Sequence, residues 1–169
     1  MHLNIPRAGN RATVHLQRKE HQAAIDCLHQ YLSAHPENAD AWFLAGEAYG
    51  HLGQFDKAVA DLERCIAANP RHSKALSLMG QAYGIQGNAA KALEYFQQSA
   101  AVNPSDPETW FNIGLTHSMG GRLDEAITSL ETALKYKPDH QRSLRTLAEV
   151  WQRKGDAAKA AQYLQQAGG

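Results

Sequence analysis

Residues 73–106 read SKALSLMGQAYGIQGNAAKALEYFQQSAAVNPSD, and this stretch holds one complete repeating unit of the chain. Its apolar and small residues Leu76, Met79, Gly80 and Tyr83 stand at positions i, i+3, i+4 and i+7. At about 100° per residue, that spacing places all four on a single arc. The stretch therefore begins with a predicted amphipathic helix that buries one face.

The same pattern returns every 34 residues. Four of the six prolines keep this spacing: Pro36, Pro70, Pro104 and Pro138. Self-similarity at a fixed period indicates a repeat architecture. Aligned on the prolines, the chain divides into a degenerate unit, three full units and a shorter last unit: 5–38, 39–72, 73–106, 107–140 and 141–169. We expect them to form one domain over residues 1–169.

Glycine and proline divide each unit into two predicted helices. A glycine follows the first helix at 34-residue intervals, at Gly53, Gly87, Gly121 and Gly155. Glycine suits the positive φ at which many helices end. The proline ends the second helix because it lacks an N–H and disfavours helix in the residue before it. Asp106 is a predicted cap for the next helix, which has Pro107 at its first position.

These residues resemble the tetratricopeptide repeat, whose pattern is W-x2-L-G-x2-Y, then A-x3-F, then P. Unit 39–72 carries the pattern as Trp42, Ala45, Gly46, Tyr49, Ala58, Leu62 and Pro70. Unit 5–38 departs most, since it keeps mainly the second half with Ala24, Leu28 and Pro36. The resemblance implies an all-α fold, a right-handed α-α superhelix of stacked antiparallel helix pairs.

Composition narrows the class of protein. Seventeen Lys plus Arg balance seventeen Asp plus Glu, and a nucleic-acid binder usually carries a basic surplus. No apolar run approaches the roughly 20 residues that span a bilayer. Residues 1–10 also lack the apolar stretch of a secretory signal. The expectation is a cytoplasmic protein that contacts neither nucleic acid nor membrane.

The sequence shows no pattern of catalytic or metal-binding residues. Cys27 and Cys65 are expected to be buried thiols. None of the nine histidines stands four residues from another on a predicted helix, and no CxxC or HExxH string occurs. His117 replaces the usual Tyr at a packing position, so a structural role is expected. We therefore predict no metal, no cofactor and no enzymatic activity.

A binding function is predicted for the first helices, which line the concave wall of such a solenoid. Repeat positions 2, 5, 6, 9, 12 and 13 lie opposite the packing residues, yet many carry apolar side chains. Such a stripe resembles a groove for an extended or helical peptide of a partner protein. The candidate groove residues are Phe43, Leu44, Glu47, His51, Leu78, Gln81, Ile85, Phe111, Asn112, Leu115, Met119 and Arg145.

Alternatives remain open at several of these positions. The apolar side chains could instead seal contacts between neighbouring first helices. Asn112 offers a donor and an acceptor to a ligand backbone, or is an ordinary exposed Asn. The cluster of Arg142, Arg145 and Arg153 could receive a carboxylate of the partner, or is a solvated face.

Some tetratricopeptide domains hold chaperone tails with a clamp of Lys and Asn residues. The full units offer Phe43, Glu47 and Leu78 where that clamp needs Lys, Asn and Asn. Binding of chaperone tails is therefore rejected.

The function predicted above is that of a stand-alone adaptor that binds a partner protein, and two alternatives to it remain open. The chain could be a regulatory segment of a larger bacterial enzyme, such as a glycosyltransferase or sulfotransferase. It could also self-associate through the ends of the solenoid. The sequence names no partner.

Overall fold

A computed structural model of the chain describes residues 7–168, with side chains from Arg11 onward. Ile5, Pro6 and Gly169, which the predicted repeats include, lie outside the described residues. Over residues 7–168 the secondary structure is entirely helical, without strands. The helices are α1 Arg7–Gln17, α2 His21–Leu32, α3 Ala39–His51, α4 Phe55–Ala68, α5 Ser73–Ile85, α6 Ala89–Val102, α7 Pro107–Met119, α8 Leu123–Tyr136, α9 Gln141–Arg153 and α10 Ala157–Gly168.

The turns inside the helix pairs confirm the predicted role of glycine. Gly53, Gly87, Gly121 and Gly155 have φ values of 70°, 78°, 76° and 83°. A side chain at that φ would bring its Cβ too close to the following carbonyl oxygen. Each glycine therefore lets an odd-numbered helix end, and in the pairs α3–α4, α7–α8 and α9–α10 the even-numbered helix packs back against it.

The predicted cap at the start of α7 is also confirmed. The Asp106 carboxylate accepts hydrogen bonds from the backbone N–H groups of Glu108 and Thr109, both at 3.3 Å. Pro107 occupies the first turn of the helix, where its missing N–H costs nothing.

Each tryptophan at repeat position 4 joins its helix to the turn before it. The indole N–H of Trp42 donates to the Pro36 carbonyl oxygen at 2.7 Å, and that of Trp110 donates to the Pro104 carbonyl oxygen at 2.8 Å. The proline turns are thus held by side-chain hydrogen bonds as well as by the backbone preference of proline.

The described residues up to Ala82 form one compact unit. In this first unit α1 packs on α2, α2 on α3, and α3 on α4. Ile25, Ala48, Tyr49 and Ala58 form a buried cluster. Close contact between α3 and α4 depends on glycine, because a Cβ at Gly46 would stand 2.8 Å from Leu62 Cγ.

The described residues from Tyr83 onward form a second compact unit, in which α6 packs on α7, α7 on α8, α8 on α9 and α9 on α10. Its larger core cluster has Phe111, Leu130, Leu147 and Val150 at its centre. A Cβ at Gly114 would stand 2.6 Å from Leu130 Cγ, which repeats the close approach of the first unit. Both units therefore consist of stacked antiparallel helix pairs, as the sequence predicts.

Candidate interaction surface

We call the side of an odd-numbered helix that carries repeat positions 2, 5, 6, 9, 12 and 13 its inner face. It lies opposite the packing residues. In α3 this face holds four of the candidate residues. Phe43 and Leu44 are buried at 9% exposure each, Glu47 is half-buried and His51 is exposed. The Phe43 ring packs against the His72 ring, with centroids 4.8 Å apart. Phe43 and Leu44 thus form a floor beneath the more polar residues.

The remaining candidates of the first unit lie on α5. Leu78 is half-buried and Gln81 is exposed. At the end of α3, the exposed His51 ring stacks on the His21 ring, with centroids 4.8 Å apart. The accessible part of this inner face is therefore mainly polar.

The inner face of the second unit is more apolar. Phe111 is buried at 3% exposure, and Asn112 and Leu115 are half-buried. Met119 is 79% exposed and Ile85 is 63% exposed. These two side chains occupy the same repeat position, one repeat apart, and both offer apolar surface to solvent.

Two arginines of α9 bind α7 at its two ends. Arg142 Nη1 donates to Glu108 Oε2 at 3.0 Å, and its guanidinium lies 4.1 Å from the centre of the Phe111 ring. Arg153 Nη1 donates to the Ser118 carbonyl oxygen at 2.8 Å and to its Oγ at 2.9 Å. Contacts at both ends show that α7 and α9 run parallel, side by side. Arg145, between the two, is exposed.

Two histidines have a role that sequence reasoning missed. The Nδ1 atoms of His72 and His140 accept from the backbone N–H groups of Ala75 at 3.1 Å and Ser143 at 3.3 Å. Each therefore caps a helix. Their Nε2 atoms face carboxylate oxygens of the first helix in the same repeat, Asp40 at 3.3 Å and Glu108 at 2.9 Å.

A signal for these caps exists in the sequence. Both histidines stand at repeat position 34, where unit 5–38 has Asn38 and unit 73–106 has Asp106. Asn and Asp are common N-cap residues, whereas histidine is not among the residues preferred at helix N-termini.

Burial shifts the pKa of a few side chains. Desolvation lowers the pKa of His117, and the nearby Arg122 guanidinium lowers it further. His117 Nδ1 accepts from Arg122 Nε at 2.8 Å, which requires that nitrogen to be unprotonated. Burial raises the pKa of the Cys65 thiol to about 12, which makes Cys65 a poor nucleophile.

A cleft of about 490 Å³ lies elsewhere in the first unit, between α2 and α4. Trp42, Asp61 and Arg64 line it, and His29 Nε2 lies 2.9 Å from Asp61 Oδ2. A comparable contact joins α8 and α10, where the Tyr163 hydroxyl donates to Glu131 at 3.1 Å. The contact between His29 and Asp61 therefore has a counterpart in the second unit, and both join neighbouring even-numbered helices.

Neither a metal site nor a membrane-spanning helix is found over residues 7–168. In that range no three His, Cys, Asp or Glu side chains come together so that they could hold a metal ion. No helix in the same range is long and apolar enough to cross a membrane.

Helix pairs that repeat every 34 residues, with tryptophan, glycine, alanine and proline at fixed positions, define a tetratricopeptide-repeat protein. A family model described as the cilia and flagella-associated protein 70 C-terminal domain matches residues 4–168. The chain belongs to this tetratricopeptide family, which confirms the resemblance. No curated protein matches the chain.

Solved structures share the fold. A crystal structure of MamA is 20% identical with a TM-score of 0.86, and the match covers 99% of this chain and 94% of that one. MamA from Desulfovibrio magneticus RS-1, from residue 41 to its end, is 20% identical with a TM-score of 0.86, covering 95% and 90%.

YrrB is described as a TPR protein with an unusual peptide-binding site. It is 22% identical with a TM-score of 0.77, covering 95% of this chain and 82% of that one. At these identities the likeness concerns the fold, and it confirms the predicted all-α class of stacked helix pairs.

Proposed function

We propose that this chain is a non-catalytic interaction module that binds a peptide or helix of a partner protein on the inner faces of its odd-numbered helices. One observation carries the proposal. Among the described large apolar side chains, Met119 and Ile85 are the most exposed, at 79% and 63%, and both lie on inner faces. Exposed apolar surface at one repeated position favours a binding role over a purely structural one.

The other candidate residues have complementary roles in this proposal. Phe43, Leu44 and Phe111 are buried and form the floor on which the accessible residues stand. The accessible candidates provide apolar contacts and polar groups for a peptide backbone: Glu47, His51, Leu78, Gln81, Ile85, Asn112, Leu115, Met119 and Arg145. YrrB, which shares the fold, is itself described as having a peptide-binding site.

The chemistry of the histidines supports a non-catalytic role. In both His72 and His140 one ring nitrogen accepts from a helix N-terminus while the other faces a carboxylate. A general base needs a nitrogen within reach of a substrate proton. These rings have both nitrogens committed to holding neighbouring repeats together.

The test is a selection of random dodecapeptides, displayed on phage, against the immobilised protein. Enriched peptides are then synthesised, and their Kd is measured by fluorescence anisotropy. Replacing both exposed residues, Ile85→Ser and Met119→Ser, should weaken binding about tenfold or more, because the variant loses the apolar area that the peptide covers.

The matched control replaces two exposed apolar residues of even-numbered helices, Tyr136→Ser and Leu164→Ser, which are 42% and 56% exposed. This variant should bind like the wild type. A selection that enriches no peptide, or peptides that bind the inner-face variant as tightly as the wild type, would contradict the proposal.

A further inference from the structure

The three arginines on the inner face of α9 differ in their surroundings. Arg142 is engaged by Glu108 and the Phe111 ring, and Arg153 is engaged by Ser118. Arg145 lies between them and is exposed. Within residues 11–168 it forms no ion pair, not even with Glu149 one turn later on the same helix. Arg145 is thus the α9 arginine whose guanidinium is open to an outside anion.

The neighbouring helix α7 offers exposed apolar surface at Met119. Arg145 occupies repeat position 5 of α9, and Met119 occupies position 13 of α7. Eight residues of helix rise span about 12 Å, and parallel packed helices lie about 8–10 Å apart. The two Cα atoms are therefore about 15 Å apart, with half-buried Asn112 and Leu115 on the stretch between them.

On the basis of the proposed function, we infer that the partner segment carries both an acidic residue and a large apolar residue. The carboxylate pairs with Arg145, and the apolar side chain, at a defined spacing from the acid, covers Met119. A planar guanidinium receives a carboxylate through two parallel N–H···O bonds. In an extended segment the two side chains stand about four or five residues apart, at about 3.3 Å per residue. In a helical segment they stand about ten residues apart, at about 1.5 Å per residue.

The charges around the site favour an anion. Glu108 is already paired with Arg142 and His140, so its negative charge is offset. Glu149 is the remaining carboxylate of the α9 inner face and is exposed to solvent. The two positive charges of Arg145 and Arg153 exceed the single negative charge of Glu149. A partner with lysine in place of the acid would therefore be repelled by two positive charges.

The experiment uses the full chain and the synthesised peptides from the dodecapeptide selection. The enriched peptides should share an Asp or Glu at one of the stated spacings from a large apolar residue. Arg145→Glu should weaken their binding between about tenfold and 100-fold, since a hydrogen bond to a charged group is worth about 1.5–3 kcal/mol. A peptide whose acid is replaced by Lys should bind Arg145→Glu more tightly than it binds the wild type.

Lys135→Glu is the matched control, because it makes the same change of charge at an exposed site on α8. It should leave peptide binding unchanged, and both variants should keep the melting temperature of the wild type. Peptides that bind through Ile85 and Met119 but carry no shared acid, or that ignore Arg145→Glu, would overturn this inference and leave the proposed function standing. A selection without any enriched peptide would overturn both.

Discussion

At the scale of single residues, Gly46 and Gly114 allow helices to approach each other inside the pairs. We expect Gly114→Ala to lower the free energy of unfolding by about 1–3 kcal/mol. The new Cβ would stand 2.6 Å from Leu130 Cγ and 3.1 Å from the Ala126 carbonyl oxygen, so α7 and α8 would have to separate. Urea unfolding followed by circular dichroism measures the change.

Gly50→Ala is the control for this prediction. Gly50 also lies in a helix, but nothing lies within 4 Å of a Cβ built there. Alanine has the higher helix propensity by up to about 1 kcal/mol, so this variant should be as stable as the wild type or more stable. Equal losses in Gly50→Ala and Gly114→Ala would show that helix contact is not the cause.

His117 should make the stability of the protein sensitive to acid. Its pKa in the folded state lies below the ordinary value of 6.5, so the unfolded chain binds the proton more tightly. The contribution of His117 to stability is therefore complete above pH 6.5 and is lost as the pH falls from 6.5 through the lowered folded pKa. Urea unfolding at a series of pH values should show this loss in the wild type.

Two substitutions separate titration from packing at this site. His117→Tyr restores the residue type found at the same repeat position in Tyr49 and Tyr83. His117→Gln removes the titrating ring without supplying another aromatic ring. Both variants should lose this part of the pH dependence, and the Tyr variant should be the more stable of the two. If the wild type and both variants share one pH profile, His117 is not the titrating group.

At the scale of helices, a histidine at repeat position 34 caps the first helix of the next repeat and contacts the first helix of its own repeat. His140 is 3% exposed, caps α9 and faces Glu108 at 2.9 Å. His140→Asn keeps a side chain that can cap and loses the contact with Glu108, so we expect a loss of about 1 kcal/mol in unfolding free energy. His140→Ala removes the cap as well and should lose about 1 kcal/mol more.

Equilibrium unfolding in urea compares the two variants with the wild type. The natural Asn38 cap, which accepts from the Ala41 N–H at 2.9 Å, shows that asparagine suits this position. If His140→Asn and His140→Ala are equally stable, the cap contributes nothing and the contact with Glu108 accounts for the whole effect.

The helix pairs themselves could be predicted from sequence because their signals are local. The glycine at each turn, the proline after each second helix and the Asp106 cap all act through the backbone within a few residues. These backbone preferences act within a few residues of the chain, so the predictions needed no knowledge of the tertiary fold. The caps at His72 and His140 were missed because imidazole rarely serves in this role.

The burial on the inner face could not be predicted in the same way. A helical arc separates the packing side of one helix from its opposite side, but it does not show what a neighbouring repeat covers. Phe111 lies on the inner face, opposite the packing residues, and is nevertheless 3% exposed, because His140 at the end of its own repeat and Arg142 of the next repeat pack on its ring. Phe43 is covered in part by His72. Met119, by contrast, is 79% exposed.

At the scale of the whole molecule, the contacts within each unit join helices that are one or two apart along the chain. Within the second unit, for example, α7 packs on α6, α8 and α9. In repeat proteins of this kind, stability is approximately a sum of the stability of each repeat and of the interfaces with its neighbours. Damage to one helix pair should therefore lower stability mainly in that pair and the pairs beside it.

Native-state hydrogen exchange of Gly46→Ala and Gly114→Ala tests this expectation. The two substitutions create similar clashes, 2.8 Å to Leu62 Cγ in the first unit and 2.6 Å to Leu130 Cγ in the second. Gly46→Ala should speed exchange mainly in α3 and α4, and Gly114→Ala mainly in α7 and α8. Because neighbouring interfaces share the loss, protection should recover with distance from the substituted pair. A uniform loss of protection across all described helices in either variant would instead show one cooperative unit, in which the repeats cannot open independently.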